Sequence, residues 1–190
     1  MNVRETELAG CLLIEPQVFG DDRGRFFETW NRSRYAQAGI DIEVAQSNVS
    51  TSRRGVLRGL HYQWPNPQGK LVWVLEGEVY DVAVDLRRDS PTFGQWTAAY
   101  LSAENHRQLW IPEGFGHGFA TVSARAVFCY LCTREYDPAA DANVLWNDPD
   151  LAIDWPLSEP MLSNKDARAP RLSEIRADRL PSLAGMEASA

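Results

Sequence analysis

The sequence has few cysteines and no excess of basic residues, and each scarcity excludes a class of protein. Three cysteines among 190 residues provide no disulfide framework, so a reducing cytoplasm is the expected location. Cys129 and Cys132 form a C-x-x-C sequence, but residues three apart on a strand face opposite sides, which favours packing over zinc or redox chemistry. The formal net charge of −7 argues against nonspecific nucleic-acid binding, which needs a basic surface.

Long apolar segments are also missing. No run approaches the length of a membrane span, and residues 1–10 carry Glu5 and Glu7 without the apolar segment of a signal peptide. We therefore expect no membrane association. With 44% hydrophobic and 24% charged residues, the chain is long enough to bury a core without disulfides. It predicts one soluble domain over residues 1–180 and a flexible tail over residues 181–190.

Short apolar runs separated by turn residues predict an all-β sandwich or barrel with a few short helices. The predicted strands cover residues 11–14, 26–30, 44–49, 56–63, 70–75, 79–86, 96–101, 108–111, 117–121 and 127–133. Asn31 is expected to cap a short helix that runs through Ala38 and ends at Gly39, and residues 173–180 predict a second helix.

Strand parity places single polar side chains on faces that are otherwise apolar. Lys70 shares its face with Val72 and Val74, and Tyr130 shares its face with Phe128. A buried cation needs a partner, so this pattern is unusual for packing alone. The interior of a jelly roll would bring these faces together.

The spacing of His61, Gln63, Lys70 and His117, with Gly55 and Gly77, resembles the histidine motif of metal-binding cupins. In those proteins the four matching positions carry His, His, Glu and His. Here an amide and an ammonium replace two ligands, and a cation in this position repels a divalent metal. We expect a jelly-roll pocket without a metal or another cofactor. A histidine beside a lysine suggests proton abstraction from carbon, with the cation holding the enolate.

Longer strings of sequence resemble the dTDP-4-dehydrorhamnose 3,5-epimerase family. They follow the family's order from about residue 3 to about residue 172, nearly the whole chain. The strings are residues 21–28, 46–50, 55–63, 68–72, 81–85, 90–94, 111–119 and 163–166. The resemblance implies a homodimeric jelly-roll cupin without a metal, which inverts C3 and C5 of a dTDP-linked 4-keto-6-deoxyhexose and yields dTDP-4-dehydro-L-rhamnose.

The resemblance also implies catalytic roles. His61 corresponds to the general base, a role that suits a neutral imidazole near pH 7. Asp166 corresponds to its dyad partner, which orients the ring and stabilises the imidazolium. Lys70 would stabilise the developing enolate at O4 by charge. Tyr130 corresponds to the acid that returns a proton to the opposite face of the sugar.

Substrate-binding roles follow from the same resemblance. Arg58 is expected at the pyrophosphate, since its fork suits phosphate oxygens. The other expected contacts are Gln46 and Asn48 at the diphosphate or sugar, Arg23, Phe26 and Glu28 at the nucleotide of the neighbouring subunit's site, and Lys70, His117, Tyr136 and Lys165 along the pocket. His117 alternatively packs beside the pocket. Asp81 and Asp85 either balance Lys70 or face water.

Three other functions remain to be distinguished. A 3-epimerase or 5-epimerase of a modified-sugar pathway would keep His61 and Lys70 but exchange only one carbon. A silent sugar-nucleotide-binding protein would not need the base and acid that His61 and Tyr130 supply. A metal-dependent cupin oxygenase or isomerase is disfavoured by Gln63 and Lys70 at ligand positions. Before Trp146 the family often has Glu where this chain has Asp141, which leaves the fine choice of substrate open.

Overall fold

The computed structural model describes the backbone of residues 1–187 and the side chains of residues 1–186. The described chain is dominated by short strands, so the predicted all-β class is confirmed. The strands are β1 Asn2–Glu5, β2 Leu12–Glu15, β3 Val18–Asp21, β4 Gly24–Phe27, β5 Gln46–Arg53, β6 Leu57–Gln63, β7 Lys70–Glu76, β8 Glu78–Asp85, β9 Trp96–Ser102, β10 Gln108–Ile111, β11 Phe115–Thr121, β12 Arg125–Cys132 and β13 Asp141–Asn143. The α-helices are α1 Arg32–Gln37, α2 Asn164–Ala167 and α3 Leu183–Glu187.

Two antiparallel sheets form a sandwich, which confirms the predicted jelly roll. One sheet has six strands in the order β1-β2-β10-β7-β12-β5, and the other has five in the order β13-β6-β11-β8-β9. Strands β3 and β4 form a separate hairpin. Most sheet neighbours are distant in sequence, so the strands that carry the candidate residues meet only through long-range pairing.

The main core lies between the sheets and follows the alternation of the strands. Val72 and Val74 of β7 pack in one cluster with Val79 and Ala83 of β8. Phe128 of β12 stacks on Phe119 of β11 with ring centroids 4.1 Å apart. The faces predicted from strand parity for β7 and β12 are therefore the inner faces.

Connecting segments cover the outer faces of both sheets. Tyr35 of α1 packs against Trp73 and Trp110 on the six-stranded sheet, and its hydroxyl donates a 2.6 Å hydrogen bond to Gln108 Oε1. The predicted cap of α1 is confirmed, since Asn31 Oδ1 accepts a hydrogen bond from the Arg34 backbone N–H at 3.1 Å. With both faces covered, the strands can be apolar on each side.

The second predicted helix is wrong in detail. In place of a helix over residues 173–180, the structure has two 3₁₀ turns, Leu172–Glu174 and Ala177–Arg179. Ile175 between them has extended backbone dihedrals, which lets Leu172, Ile175 and Leu180 all reach the cluster on the five-stranded sheet. Packing against a sheet thus outweighs local helix propensity here.

Three strands escaped sequence prediction because they are short. They are β1, β3 and β13, each of three or four residues with little burial. The predicted strand over residues 26–30 also ends early, since β4 stops at Phe27. Short, half-exposed strands carry little of the alternation that prediction needs.

The chain makes buried contacts beyond residue 180. Pro181 and Ser182 are buried, and Asp89 Oδ1 accepts a 2.7 Å hydrogen bond from the Leu183 backbone N–H at the start of α3. The predicted domain end at residue 180 stays a prediction, but the expected tail overlaps this packed segment. Residues 188–190 lie outside the described part. Among residues 1–187, no helix is long and apolar enough to cross a membrane.

Candidate active site

A pocket opens between the two sheets at one end of the sandwich. Strands β6 and β13 form one wall, and β5, β7 and β12 form the other. The lining residues are Gln46, Asn48, His61, Tyr62, Gln63, Gln68, Lys70, Tyr130, Tyr136, Asp141 and Lys165. Residues from opposite sheets therefore face each other across one cavity.

His61 on β6 is held by a carboxylate from the C-terminal part of the chain. Its Nε2 lies 2.6 Å from Asp166 Oδ1. Ser163 caps the short helix α2 by accepting from the Asp166 backbone N–H, which fixes the position of the carboxylate. The His61 side chain remains 34% exposed, whereas that of Asp166 is 3% exposed. The predicted pair is thus assembled, with the imidazole open to the pocket and the carboxylate behind it.

The protonation of Asp166 determines how the His61 ring is used. Burial pushes the pKa of Asp166 upward, but the hydrogen bond and charge of His61, with further help from Ser163 and Lys165, hold it below its usual value. A carboxylate at neutral pH accepts a hydrogen bond from Nε2–H of His61. This assigns the tautomer in which Nδ1 keeps its lone pair. Nδ1 is therefore the atom that can accept a proton from a substrate.

Lys70 and Tyr130 belong to the opposite wall. Their strands are adjacent, with Tyr130 paired to Val72 and Cys132 paired to Lys70. Burial raises the pKa of Tyr130, so its hydroxyl carries a proton at neutral pH. Burial lowers the pKa of Lys70, while the nearby Cys132 and the carboxylates of Asp81 and Asp141 oppose that change. Within residues 1–186 the Lys70 ammonium has no hydrogen-bonding acceptor, which leaves it available to an oxygen atom of a ligand.

Polar side chains at the mouth form a connected network. Asp141 Oδ2 accepts hydrogen bonds from Lys165 Nζ at 2.5 Å and from the Tyr136 hydroxyl at 3.0 Å. The Tyr136 backbone N–H donates to Gln46 Oε1 at 2.7 Å, and Gln46 Nε2 donates to Asn48 Oδ1 at 2.9 Å. Four residues expected to bind substrate thus lie together, and Asp141 joins them.

Arg58 lies outside the pocket lining. It is exposed on β6, where its Nε donates to Ser52 Oγ at 3.1 Å and its guanidinium also donates to the Thr51 carbonyl at 3.3 Å. Its charge still acts on Tyr130. A position beside the pocket rather than in it suits a part of the substrate that extends from the cavity, and the pyrophosphate contact stays a prediction.

The structure does not bring Arg23, Phe26 and Glu28 into the pocket of their own chain. Arg23 and Phe26 lie on the β3–β4 hairpin, where Phe26 is 71% exposed. Arg23 Nε donates to Asp21 at 3.1 Å, and Glu28 forms an ion pair with Arg34. A role at the neighbouring subunit's site is compatible with this exposure and stays a prediction.

His117 lies beside His61, since the two are register partners on the neighbouring strands β11 and β6. It is buried, and its Nε2 lies 3.0 Å from Asp81 Oδ2. The structure does not place His117 in the pocket lining, so the packing alternative describes its position better than the expected lining role. Asp81 and Asp85 are fully buried, and the idea that they face water is wrong. Asp85 accepts hydrogen bonds from Arg87 and two hydroxyls in the turn that follows β8.

Gln63 occupies the position of a metal ligand in metal-binding cupins, but here its amide forms hydrogen bonds to neighbouring loops. Its Nε2 donates to the Asn66 carbonyl at 3.0 Å, and its Oε1 accepts from the Asp137 backbone N–H at 3.0 Å. Among the described residues, no three His, Cys, Asp or Glu side chains are grouped to hold a metal ion. The site without a metal stays a prediction.

Sequence reasoning missed part of the site. Tyr62 and Gln68 line the pocket; both lie within the family-like strings 55–63 and 68–72, but neither was predicted to have a role. Asp141 was noted only as a departure from a family pattern, because β13 is too short to be recognised. A polar residue close to Trp146 in an acidic loop was the only available signal.

The fold and the site together define a jelly-roll protein of the cupin type with an acid–base pocket. One wall carries an imidazole paired with a carboxylate, and the other carries a lysine and a protonated tyrosine. A sequence profile described as dTDP-4-dehydrorhamnose 3,5-epimerase matches residues 5–174. The chain belongs to the dTDP-4-dehydrorhamnose 3,5-epimerase family.

Known relatives resemble the chain over nearly its full length. A dTDP-4-dehydrorhamnose 3,5-epimerase from Salmonella typhimurium is 52% identical over 177 residues, which is 92% of this chain and 97% of the relative. The structure of dTDP-6-deoxy-D-glucose-3,5-epimerase from Legionella pneumophila in complex with dTDP-4-keto-L-rhamnose has a TM-score of 0.93 and 51% identity, with 95% of this chain and 97% of that chain covered. A 3′-monoepimerase from Streptomyces bikiniensis in complex with dTDP-quinovose has a TM-score of 0.90 and 38% identity, with 97% and 95% covered.

Proposed function

We propose that this protein is an isomerase that converts dTDP-4-dehydro-6-deoxy-D-glucose into dTDP-4-dehydro-L-rhamnose by inverting C3 and C5. The observation that carries the proposal is the position of His61 and Tyr130 on opposite walls of one pocket. Inversion at carbon needs a base on one face of the sugar and an acid on the other. Two such groups on facing sheets support an inversion of this kind.

The residues account for each proton and electron pair of one inversion. The 4-keto group acidifies the adjacent C–H bonds, and Nδ1 of His61 takes the proton. The electron pair moves into an enolate whose charge gathers on O4, where the Lys70 ammonium stabilises it. Tyr130 then returns a proton to the opposite face of the carbon, and Asp166 stabilises the imidazolium through its 2.6 Å contact. The same groups act at C3 and at C5, once water has taken the proton from His61 and returned one to Tyr130.

The mouth of the pocket suits the nucleotide part of the substrate. Gln46 and Asn48 present amides, and Lys165 presents an ammonium already positioned by Asp141. Tyr136 is 54% exposed and offers a ring to the nucleoside. Arg58 beside the cavity offers bidentate donors to the diphosphate.

We further propose that two chains form a homodimer in which the β3–β4 hairpin reaches the partner's site. The exposed ring of Phe26, together with Arg23 and Glu28, supports this arrangement because these residues have no place in their own pocket. The three free, buried cysteines fit a reducing compartment, so we place the activity in the cytoplasm, with neither nucleic acid nor membrane as a partner.

A single-position epimerase is the second candidate function. The Streptomyces bikiniensis 3′-monoepimerase shares the fold at a TM-score of 0.90, so the architecture alone does not determine how many carbons react. A non-catalytic dTDP-sugar-binding protein is the weaker alternative, since it has no use for the His61–Asp166 pair.

An incubation with dTDP-4-keto-6-deoxyglucose in deuterium oxide tests the proposal. Deuterium at both C3 and C5 with an L-configured product, read by NMR and mass spectrometry, is the expected result. Label at one carbon would assign a monoepimerase. Unlabelled sugar from a protein that still binds dTDP would refute the catalytic function. A His61→Asn variant, whose side chain is similar to histidine in size and polarity, is the control for exchange that does not depend on the His61 imidazole.

A further inference from the structure

A second imidazole–carboxylate pair lies beside the first. His117 Nε2 is 3.2 and 3.0 Å from the two oxygens of Asp81. The Asp81 side chain is 0% exposed and that of His117 is 9% exposed. Within residues 1–186, His117 is the only hydrogen-bond donor to the Asp81 carboxylate. The proposed mechanism assigns this pair no step, although it is among the most buried ionisable groups of the protein.

Asp81 and Lys70 project into the same interior from facing sheets. Asp81 alternates on β8 with Val79 and Ala83, which belong to the central cluster, and Lys70 alternates on β7 with Val72 of the same cluster. A buried carboxylate with one donor and a nearby ammonium with no acceptor are electrostatically complementary. Removing a charge from water is unfavourable unless an opposite charge is near, so each group lowers the cost of burying the other.

We propose that Asp81 is a positioning residue, whose buried carboxylate keeps Lys70 in its cationic form at the end of the pocket. The inference rests on the proposed function only for the use made of that cation, which is to hold the enolate oxygen. His117 orients the carboxylate through its Nε2 contact. Asp81 itself touches neither the cavity nor a substrate and acts through Lys70.

The effect of Asp81 on Lys70 must be distinguished from the effects of the other ionisable groups nearby. The groups that face Lys70 are Cys132 on β12, Asp141 on β13, Lys165 on α2, and Asp81 and His117 on the five-stranded sheet. Asp141 is engaged by Lys165 at 2.5 Å and by Tyr136 at 3.0 Å, which divides its charge among partners. Burial raises the pKa of Cys132, so the thiol is neutral near pH 7. Asp81 is thus the carboxylate among them that no Lys or Arg side chain contacts.

The chain offers an unusually direct measurement, because it contains only two lysines, Lys70 and Lys165. Labelling lysine with ¹³C at the ε carbon gives two NMR signals in the full-length protein, and Lys165→Arg assigns them. The pH midpoint of each signal is then read without substrate. This readout is independent of the proposed function, so failure of the deuterium experiment and failure of this inference are distinguishable.

The test compares Asp81→Asn with the wild type. Removing the negative charge should move the Lys70 midpoint to lower pH, because the protonated form loses its partner while its burial remains. The Lys165 midpoint should stay in place. The alkaline limb of kcat/KM should move with the Lys70 midpoint, since a pKa that is lower by one reduces the protonated fraction about tenfold at alkaline pH. A folded Asp81→Asn protein with an unchanged Lys70 midpoint would overturn the proposal.

Asp85→Asn is the matched control. Asp85 lies on the same strand and is as buried as Asp81, but its partners are Arg87, Ser90 and Thr92. Its substitution should leave the Lys70 midpoint unchanged, and an equal change there would refute a specific role for Asp81. If Asp81→Asn does not fold, the wild-type Lys70 signal decides the question. It should show an inflection at acid pH as Asp81 gains its proton, and a Lys70 curve without that inflection would overturn the proposal.

Discussion

The two histidine–aspartate pairs of this protein have the same chemical groups but different access to solvent. In the pair formed by His61 and Asp166, the imidazole is 34% exposed and lines the pocket. In the pair formed by His117 and Asp81, the imidazole is 9% exposed and lies behind the pocket. The two histidines are register partners on neighbouring strands, so a few ångströms separate a reactive site from an enclosed one.

The carboxylates differ as well, and the difference accounts for the two roles that we propose. The pKa of Asp166 is lowered, since its contacts with His61 outweigh its burial. The pKa of Asp81 is raised by burial, which His117 and Lys70 only partly offset. A carboxylate whose partner imidazole opens to the pocket can support proton transfer. A fully enclosed carboxylate instead acts through its field on charges nearby.

The largest effect should separate the two histidines. We expect His61→Asn to lower the rate of deuterium incorporation by about 10²–10⁴-fold, the usual contribution of a general base. His117→Asn should instead lower the free energy of unfolding by about 1–3 kcal/mol, because Asp81 loses its donor in a buried site. Parallel kinetics and denaturant titrations check both values. If His61→Asn and His117→Asn lost activity to the same extent and had the same stability, the proposed difference between the two histidines would be wrong.

Tyr130→Phe should affect inversion more than proton abstraction. The variant keeps the ring and removes the hydroxyl that we propose returns a proton, so we expect product formation to fall by about a hundredfold, within the range for general acid catalysis. Exchange on the face of His61 should continue, giving labelled substrate of unchanged configuration. NMR of the recovered sugar distinguishes labelled substrate from product. Loss of exchange and inversion to the same extent would show that Tyr130 also supports the first step.

The two aspartates should respond to pH with opposite signs. When the pKa of a carboxyl is lower in the folded state than in the unfolded state, its ionised form stabilises the fold. For Asp166 this stabilisation is complete above the unfolded pKa, near 3.8, and it is lost as the pH falls through the folded pKa. The stability advantage of the wild type over Asp166→Asn should therefore shrink on acidification. A raised folded pKa has the opposite effect, because the folded wild type loses stability as the pH rises above 3.8 and Asp81 ionises. Any loss of stability in Asp81→Asn relative to the wild type should therefore become smaller as the pH rises. A difference of one between the folded and unfolded pKa corresponds to about 1.4 kcal/mol.

Calorimetry of the wild type, Asp166→Asn and Asp81→Asn between acid and neutral pH measures how the stability of each protein changes with pH. The Asp85→Asn variant serves as a control for a buried aspartate, because its pKa is lowered by Arg87 and two hydroxyls despite its burial. It should follow the sign of Asp166. If the stability differences of Asp166→Asn and Asp81→Asn from the wild type changed with pH in the same direction, the proposed contrast between the two histidine–aspartate pairs would be wrong.

The smallest effect is expected at the mouth of the pocket. Asp141→Asn removes the partner of Lys165, whose side chain is 43% exposed, so the free energy of unfolding should change by about 0–1 kcal/mol. The KM for the dTDP sugar should change more than kcat, since the network orients binding groups rather than reacting atoms. Steady-state kinetics with thermal melts test this. A fall in kcat with an unchanged KM would assign Asp141 a role in the chemistry.

Local sequence predicted the buried strands better than the exposed ones. The run predicted over 108–111 matches β10 in both bounds, and those for β6, β7, β8 and β12 differ from the structure by one or two residues at either end. The three-residue strand β13 was missed, and with it the role of Asp141. Alternation over seven or eight residues is a strong signal, whereas three residues carry almost none.

The sequence by itself determined the all-β class and the faces of Lys70 and Tyr130, because side-chain direction on a strand depends only on parity. Only the tertiary structure decided which residues meet. Asp166 lies 105 residues from His61 and yet contacts it at 2.6 Å, and Asp81 is enclosed because its face of β8 packs in the core between the two sheets. Such contacts depend on strand order and on the burial of distant segments, and short-range patterns in a chain contain no record of either.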